Sequence, residues 1–315
     1  MSLITAAAYT PADSEAWDSF VAGARNGLFQ FARPYMDYHA DRFVDGSIIV
    51  REEGAIVAVL PASRDGDVLV SHGGLTFGGL VLGRPAASLR TQAILEAVVG
   101  HAASAGVKSI LYKAMPRIFQ AVPSDEDLYF LHQLGARLVR RDLSTAVSPF
   151  ESPKLRKGRR YMLSRARKIE DLQVEEGGDW EAFWALLTHR LDEAHGVRPV
   201  HSLDEIRLLQ QRFPDNISLV TARTAAGVHA GIVLFRFGAV DHTQYMATDA
   251  FSRENGLLDT LVQQSIATAA EAGRWLSFGI STADGGRVVN PGLLDYKESF
   301  GGRSVAHDHY ELALT

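Results

Sequence analysis

The chain has 315 residues, long for one core and comfortable for two domains of roughly 150 residues each. A hydrophobic content of 46%, a charged content of 22% and a net charge of −5 are those of an ordinary globular protein with no global attraction to nucleic acid or anionic membrane. The absence of cysteine excludes disulfides, thiolate chemistry and Cys-ligated metals. No apolar run approaches the roughly 20 residues of a membrane span, and the start MSLITAAAYTPADSE lacks the pattern of a signal peptide, so a cytoplasmic protein is expected.

Asp13 and Ser14 precede an apolar stripe at Trp17, Phe20 and Val21, which predicts an opening helix. In GSIIVREEGAIVAVLPASRDGDVLVSHGGLTFGGLVLG, β-branched runs separated by Gly and Asp-Gly turns predict antiparallel hairpins. A helix over about 88–105, a strand over 108–113, a short helix over about 127–134 and the strand RLVRRDLSTAV complete a first domain, residues 1–150. Residues 151–170 are expected to be a basic linker helix, and 171–315 a second domain. There WEAFWALLTHRLDEA and SLDEIRLLQQRF are helical, the latter with a capping box at Ser202 and Glu205. The stretch 216–250 reads as two or three strands around a turn at Ala226-Gly227. A loop, Arg253 to Leu258, leads into a helix over 257–272, then the strand RWLSFGIST, a helix over 293–300 and a final strand.

The halves match each other. A shift of 167 lays ILEAVVGHAASAGVKSI on LVQQSIATAAEAGRWLS, with Gly106 on Gly273, and a shift of 166 lays Leu134-Gly135 on Phe300-Gly301. This order of agreement indicates an internal duplication. The first half carries Ala86, Leu89, Phe130 and Leu131 where the second has Arg253, Gly256, Tyr296 and Lys297. The scaffold is shared, whereas the polar residues belong to the second half, which is therefore expected to be the chemical one.

A helix N-terminus offers unpaired N–H groups and the positive end of its dipole to a phosphate. Gly256 would admit close backbone approach, and Arg253 would add a charge-assisted bond. Strand, then R-x-x-G-x-L, then an amphipathic helix resembles the acyl-CoA loop of GNAT acyltransferases, with Leu258 where that family has Gly or Ala. The segment NPGLLDYKESFGGR resembles the GNAT ending. Its YKESFG form, together with the basic stretches at 157–160 and 165–168, looks like the tandem-GNAT FemAB-type transferases and their acetyltransferase relatives. The resemblance implies an α/β (α+β) fold of two tandem GNAT-like domains, each a mixed, mostly antiparallel sheet flanked by helices.

It also implies an N-acyltransferase, most simply an N-acetyltransferase using acetyl-CoA or another acyl-CoA and no metal, by direct attack of an amine on the thioester. The stretch Gln244, Met246 and Thr248 would polarise the carbonyl, and Arg253, Asn255, Gly256 and Leu258 would hold the pyrophosphate. Asn290 would meet the pantetheine arm or cap the following helix. Tyr296 is assigned general acid, Lys297 a place near the acyl group, and His242 general base. Asp249, Glu193 and His195 are the other bases weighed. His307-Asp308-His309 supplies two histidines without a third ligand, so no metal is assigned.

Residues 154–168 hold eight Lys or Arg and no acid. Arg159 and Arg160, with Asp249, are the expected contacts to a small acceptor, phosphorylated or not, such as a nucleotide sugar or a cell-envelope precursor. Two alternatives stand beside this reading. One is a FemAB-like aminoacyl transferase with tRNA as its nucleic-acid partner. The other is a non-catalytic binding protein on a transferase scaffold.

Overall fold

The computed structural model describes residues 3–151 and 154–314. The chain forms two compact units: Met1–Asp142 with Asp284–Arg287 and Ala306–Thr315, and Leu143–Ala283 with Val288–Val305. The expected boundary near residue 150 thus falls earlier, inside the strand Arg137–Val147. The final strand, Arg303–Ala313, begins in the second unit and finishes in the first.

In the first unit, Ile4–Ala8, Ile48–Glu52, Ala55–Leu60 and Val81–Leu82 pair antiparallel in that order. Ser109–Lys113 pairs antiparallel with residues 309–313 and parallel with Val68–Val70. The helix Ser88–Ser104 buries Ile94, Leu95, Val98 and Ala102 on this scaffold, against Val50, Leu60, Leu82 and Ile110. Their spacing of three and four residues is what gives the helix a single apolar face.

In the second unit, Gln173–Glu176, Ile217–Thr224, Gly227–Arg236 and Val240–Thr248 form an antiparallel run. Trp275–Ile280 joins it parallel, and residues 144–147 pair antiparallel with Trp275–Ile280. Leu257–Glu271 packs Leu257, Leu261, Val262, Ile266 and Ala269 over Ile232, Leu234 and Leu276. Trp180–His195 lies against the strands Gly227–Arg236 and Val240–Thr248 with Phe183 and Leu187 buried. The two long helices end alike, at Gly106 with φ 74° and Gly273 with φ 69°, a left-handed conformation that closes a helix at little cost only for glycine.

The basic segment does not act as a separate linker. Its helix, Lys157–Ala166, packs on Ala250–Asn255 and Leu257–Glu271 within the second unit. No helix among the described residues is long and apolar enough to cross a membrane. The capping box is present: Ser202 Oγ accepts from the Glu205 amide at 3.2 Å, and Glu205 Oε2 accepts from the Ser202 amide at 2.7 Å. Ser202→Ala should cost about 1 kcal/mol in denaturant unfolding, with unchanged activity.

Candidate active site

The strand Val240–Thr248 keeps its antiparallel partner along its length, with an irregularity at Gln244, between the pairs Val233/Tyr245 and Leu234/Thr243. On its other edge it meets Trp275–Ile280 at only three pairs: Val240/Trp275, Asp241/Leu276 and His242/Ser277. Beyond them the edge of residues 243–248 has no strand partner among the described residues. Backbone amides so exposed can donate to an oxygen of a bound molecule. The divergence has a local cause. Trp275–Ile280 bulges between Ser277 and Ile280, where Gly279 takes φ 73°. An isolated glycine in a strand pattern is the sequence signal for such a bend.

Lys297 is bonded to the diverging strand at this bend. It is only 2% exposed, and its Nζ donates to Gly279 O at 2.8 Å and Ile280 O at 2.7 Å. Burial pulls its amine down to about 8. Keeping it charged at neutral pH therefore costs on the order of 3 kcal/mol, offset in part by the two carbonyls. His242 lies across the other side of Gly279: a Cβ there would stand 3.2 Å from its Cε1. Its Nδ1 is 3.1 Å from Ser277 Oγ. The fold thus brings His242 and Lys297 to the same bend at Gly279. Next to Gln244, Tyr245 bonds His201 Nδ1 at 2.6 Å, and burial pushes its hydroxyl up to about 12.

Tyr296 does not share the surroundings of its neighbour, because successive residues leave a helix in different directions. Its hydroxyl donates to Asp259 Oδ1 at 3.2 Å, and Arg159 grips the same carboxylate at 2.8 and 2.7 Å while lying over the Tyr296 ring. Burial, then the Asp259 charge, holds the phenol well above its usual range. Tyr296, so held, is a poor proton donor. Arg159, expected on the acceptor, is a clasp between the basic helix and the helix Leu257–Glu271. Burial raises the Asp259 carboxyl, and Arg159 opposes that shift. Asp259 was not singled out from the sequence, although a carboxylate in an apolar helix stripe is a readable anomaly.

The expected phosphate loop is largely helical. Asp249 caps a short helix, Ala250–Asn255, by accepting from the Ser252 amide at 2.7 Å, and Gly256 interrupts the chain at φ 79°. Gly256 is buried: a Cβ there would lie 2.5 Å from Met162 O and 2.8 Å from Met162 C. Its lack of a side chain admits the backbone of Lys157–Ala166. The Leu258 amide is taken by Ser252 Oγ at 3.2 Å, while the Leu258 and Met246 side chains pack on the core. Asn255 accepts from Arg165 at 3.1 Å, and exposed Arg253 donates to Thr248 O at 3.2 Å. Arg160 donates to Leu155 O at 2.6 Å.

Asn290 caps Pro291–Glu298, accepting from the Leu293 amide at 3.0 Å. Asp249 also bonds His229 Nδ1 at 2.7 Å, and His229 Nε2 lies 2.8 Å from Thr224 Oγ1, a buried chain that ties the hairpin to the short helix. Glu193 pairs with Arg190 on the surface, and the His195 side chain lies outside the described residues. His307 is buried beside Phe77 and Phe119, and no group of three or more potential metal ligands converges among the described residues.

Two outcomes test this geometry. Gly256→Ala should lose about 2–4 kcal/mol in denaturant unfolding, from left-handed strain plus the Met162 clash. Gly273→Ala, with similar φ and open space around it, should lose only about 1 kcal/mol. Asp259→Leu should be strongly destabilising because it strands the Arg159 charge, and adding Arg159→Met should restore most of the loss. Both are read as unfolding midpoints.

No family model and no curated protein matches the sequence. Solved structures do. FemX is similar at 12% identity over 98% of this chain and 97% of its own, with a TM-score of 0.69. L-PGS from Bacillus licheniformis is similar at 14% identity over 96% and 91%, with a TM-score of 0.60. A tandem GNAT protein from the clavulanic acid biosynthesis pathway is similar at 10% identity over 100% and 99%, with a TM-score of 0.50. At such identities the likeness concerns the fold: the chain has the tandem GNAT-like, FemAB-like fold.

Proposed function

We propose that the second unit catalyses transfer of an acyl group from an activated ester to an amine. The observation that carries this reading is the strand gap opening at His242/Ser277 with the Lys297 amine bonded to Gly279 and Ile280 on its diverging strand. In the gap an acyl carbonyl would accept from an unpaired amide of residues 244–248, which stabilises the oxyanion as the amine attacks. The new C–N bond forms, His242 takes the proton that the amine sheds, and the tetrahedral intermediate collapses. Lys297, with its amine near 8, gives a proton to the leaving oxygen or sulfur.

The surroundings of Gly256 bear on the choice of donor. An acyl-CoA seated as in GNAT enzymes would need the Gly256 and Leu258 amides, and these donate to Ser252 O at 2.8 Å and Ser252 Oγ at 3.2 Å. This favours the FemAB-like alternative, an aminoacyl ester of tRNA, whose phosphates the exposed Lys154, Lys157, Arg167 and Lys168 would attract. An acyl-CoA donor remains the second reading because the order of motifs resembles that family.

Thermal shift and transfer assays separate the two donors. A ligand of the folded state present at about 100 Kd raises stability by roughly 2.7 kcal/mol. Stabilisation by acetyl-CoA, with none by aminoacyl-tRNA, would reverse the order of donors, and no product from either would remove the transferase reading. Lys297→Met should lower kcat by about 100-fold or more with donor binding retained. With the wild-type enzyme, kcat should fall as pH rises through about 8, because the donating ammonium is lost. Lys297→Arg, which stays charged, should remove that limb.

A further inference from the structure

The first unit, which lacks the polar residues of the second, contains a cavity that the transfer reaction does not use. Equivalent backbone bonds locate it. The Asp249 amide donates to His229 O at 2.9 Å, and the Gly83 amide donates to Val57 O at 3.1 Å. Each bond ties the start of the helical segment to the neighbouring strand. In the second unit the place is filled by the Thr224–His229–Asp249 chain and by Phe251, whose ring centroid is 4.7 Å from that of His229. In the first, Gly83 and Val57 are the bonded pair, both smaller than Asp249 and His229.

What the smaller residues leave is a cavity of about 450 Å³, walled by Phe20, Gly23, Ala24, Val57, Gly83 and Ala86. That volume falls within the range of small-molecule sites, about 300–1,000 Å³. Most of the wall is apolar, and a Cβ added at Gly23 would meet nothing within 4 Å. Two arginines complete the lining. Arg84 is exposed and has no hydrogen-bond or ion-pair partner among the described residues. Arg90 pairs with Glu52, yet its Nε is buried without a partner. The Arg90 guanidinium adds positive charge to that side of the cavity. The helix Ser88–Ser104 also begins here without a side-chain cap, which adds its positive end to the same rim.

We propose that this cavity binds a small anion with an apolar body, its carboxylate or phosphate head on Arg84 and its body against Phe20 and Val57. Isothermal titration with octanoate, phenyl phosphate, octanol and inorganic phosphate tests it on the full chain. One-to-one binding of octanoate or phenyl phosphate is expected, at least about tenfold tighter than octanol or inorganic phosphate. Preference between the two amphiphiles distinguishes a carboxylate from a phosphate ligand. Arg84→Glu should weaken binding about tenfold or more, and Gly23→Leu should abolish it by filling the cavity. Ala24→Leu replaces Gly23→Leu if the latter lowers the melting temperature. Lys297→Met should bind the amphiphile as the wild type does, which separates this site from acyl transfer. Failure of both amphiphiles to bind saturably, equal binding of octanol, or undiminished binding in the filled variant overturns the proposal.

Discussion

Everything placed at the candidate active site depends on a parallel strand contact that stops after three residue pairs. Parallel neighbours need a crossover, and Leu257–Glu271 supplies it, held by its apolar face on the sheet. With the helix fixed, Val240–Thr248 and Trp275–Ile280 are committed at one end and separated at the other by the bend at Gly279. The bend turns two carbonyls toward Lys297, and those carbonyls are what an otherwise costly buried ammonium rests on. One irregular glycine thus opens the gap, orients the cation and leaves room for His242.

The positive charge of residues 154–168 is spent in two ways. Arg159 and Arg165 face inward, on Asp259 and Asn255, and bring the helix backbone close enough to cover Gly256. Arg156 reaches Asp295 and Glu298, whereas Lys154, Lys157, Arg167 and Lys168 stay in solvent. Half the segment is architecture, and the remainder is a local positive surface on a chain of net charge −5. That division explains how one stretch can carry a resemblance to a transferase family and also be structurally required.

Much of the fold was legible because periodicity is a local property. The helices at 88–104, 180–195 and 203–212 and the hairpin of Ile48–Glu52 with Ala55–Leu60 follow from spacing, caps and turn residues alone. The surroundings of the Gly256 loop are not legible in the sequence, for a reason of range. Glycine at 256 announces a left-handed or crowded backbone, but whether the crowding comes from a phosphate or from Met162, far away in sequence, is not written nearby. Tyr296 was likewise assigned a role from its motif, whereas its partner Asp259 sits on another helix. Asn290, read as either cap or ligand, shows the cap, whose partner is three residues away.

The path of the last strand has a consequence for biosynthesis. Residues 309–313 pair with Ser109–Lys113, and Leu312 enters the first unit's core, although they leave the ribosome after nearly the whole second unit. The amino-terminal half therefore emerges without the strand that completes its sheet, with Ser109–Lys113 presenting an open edge. Vectorial folding from the amino terminus, the usual order for multidomain chains, cannot finish here, and the nascent first unit must wait for the carboxy-terminal residues. Protection of that edge during synthesis becomes a requirement that the finished molecule no longer displays.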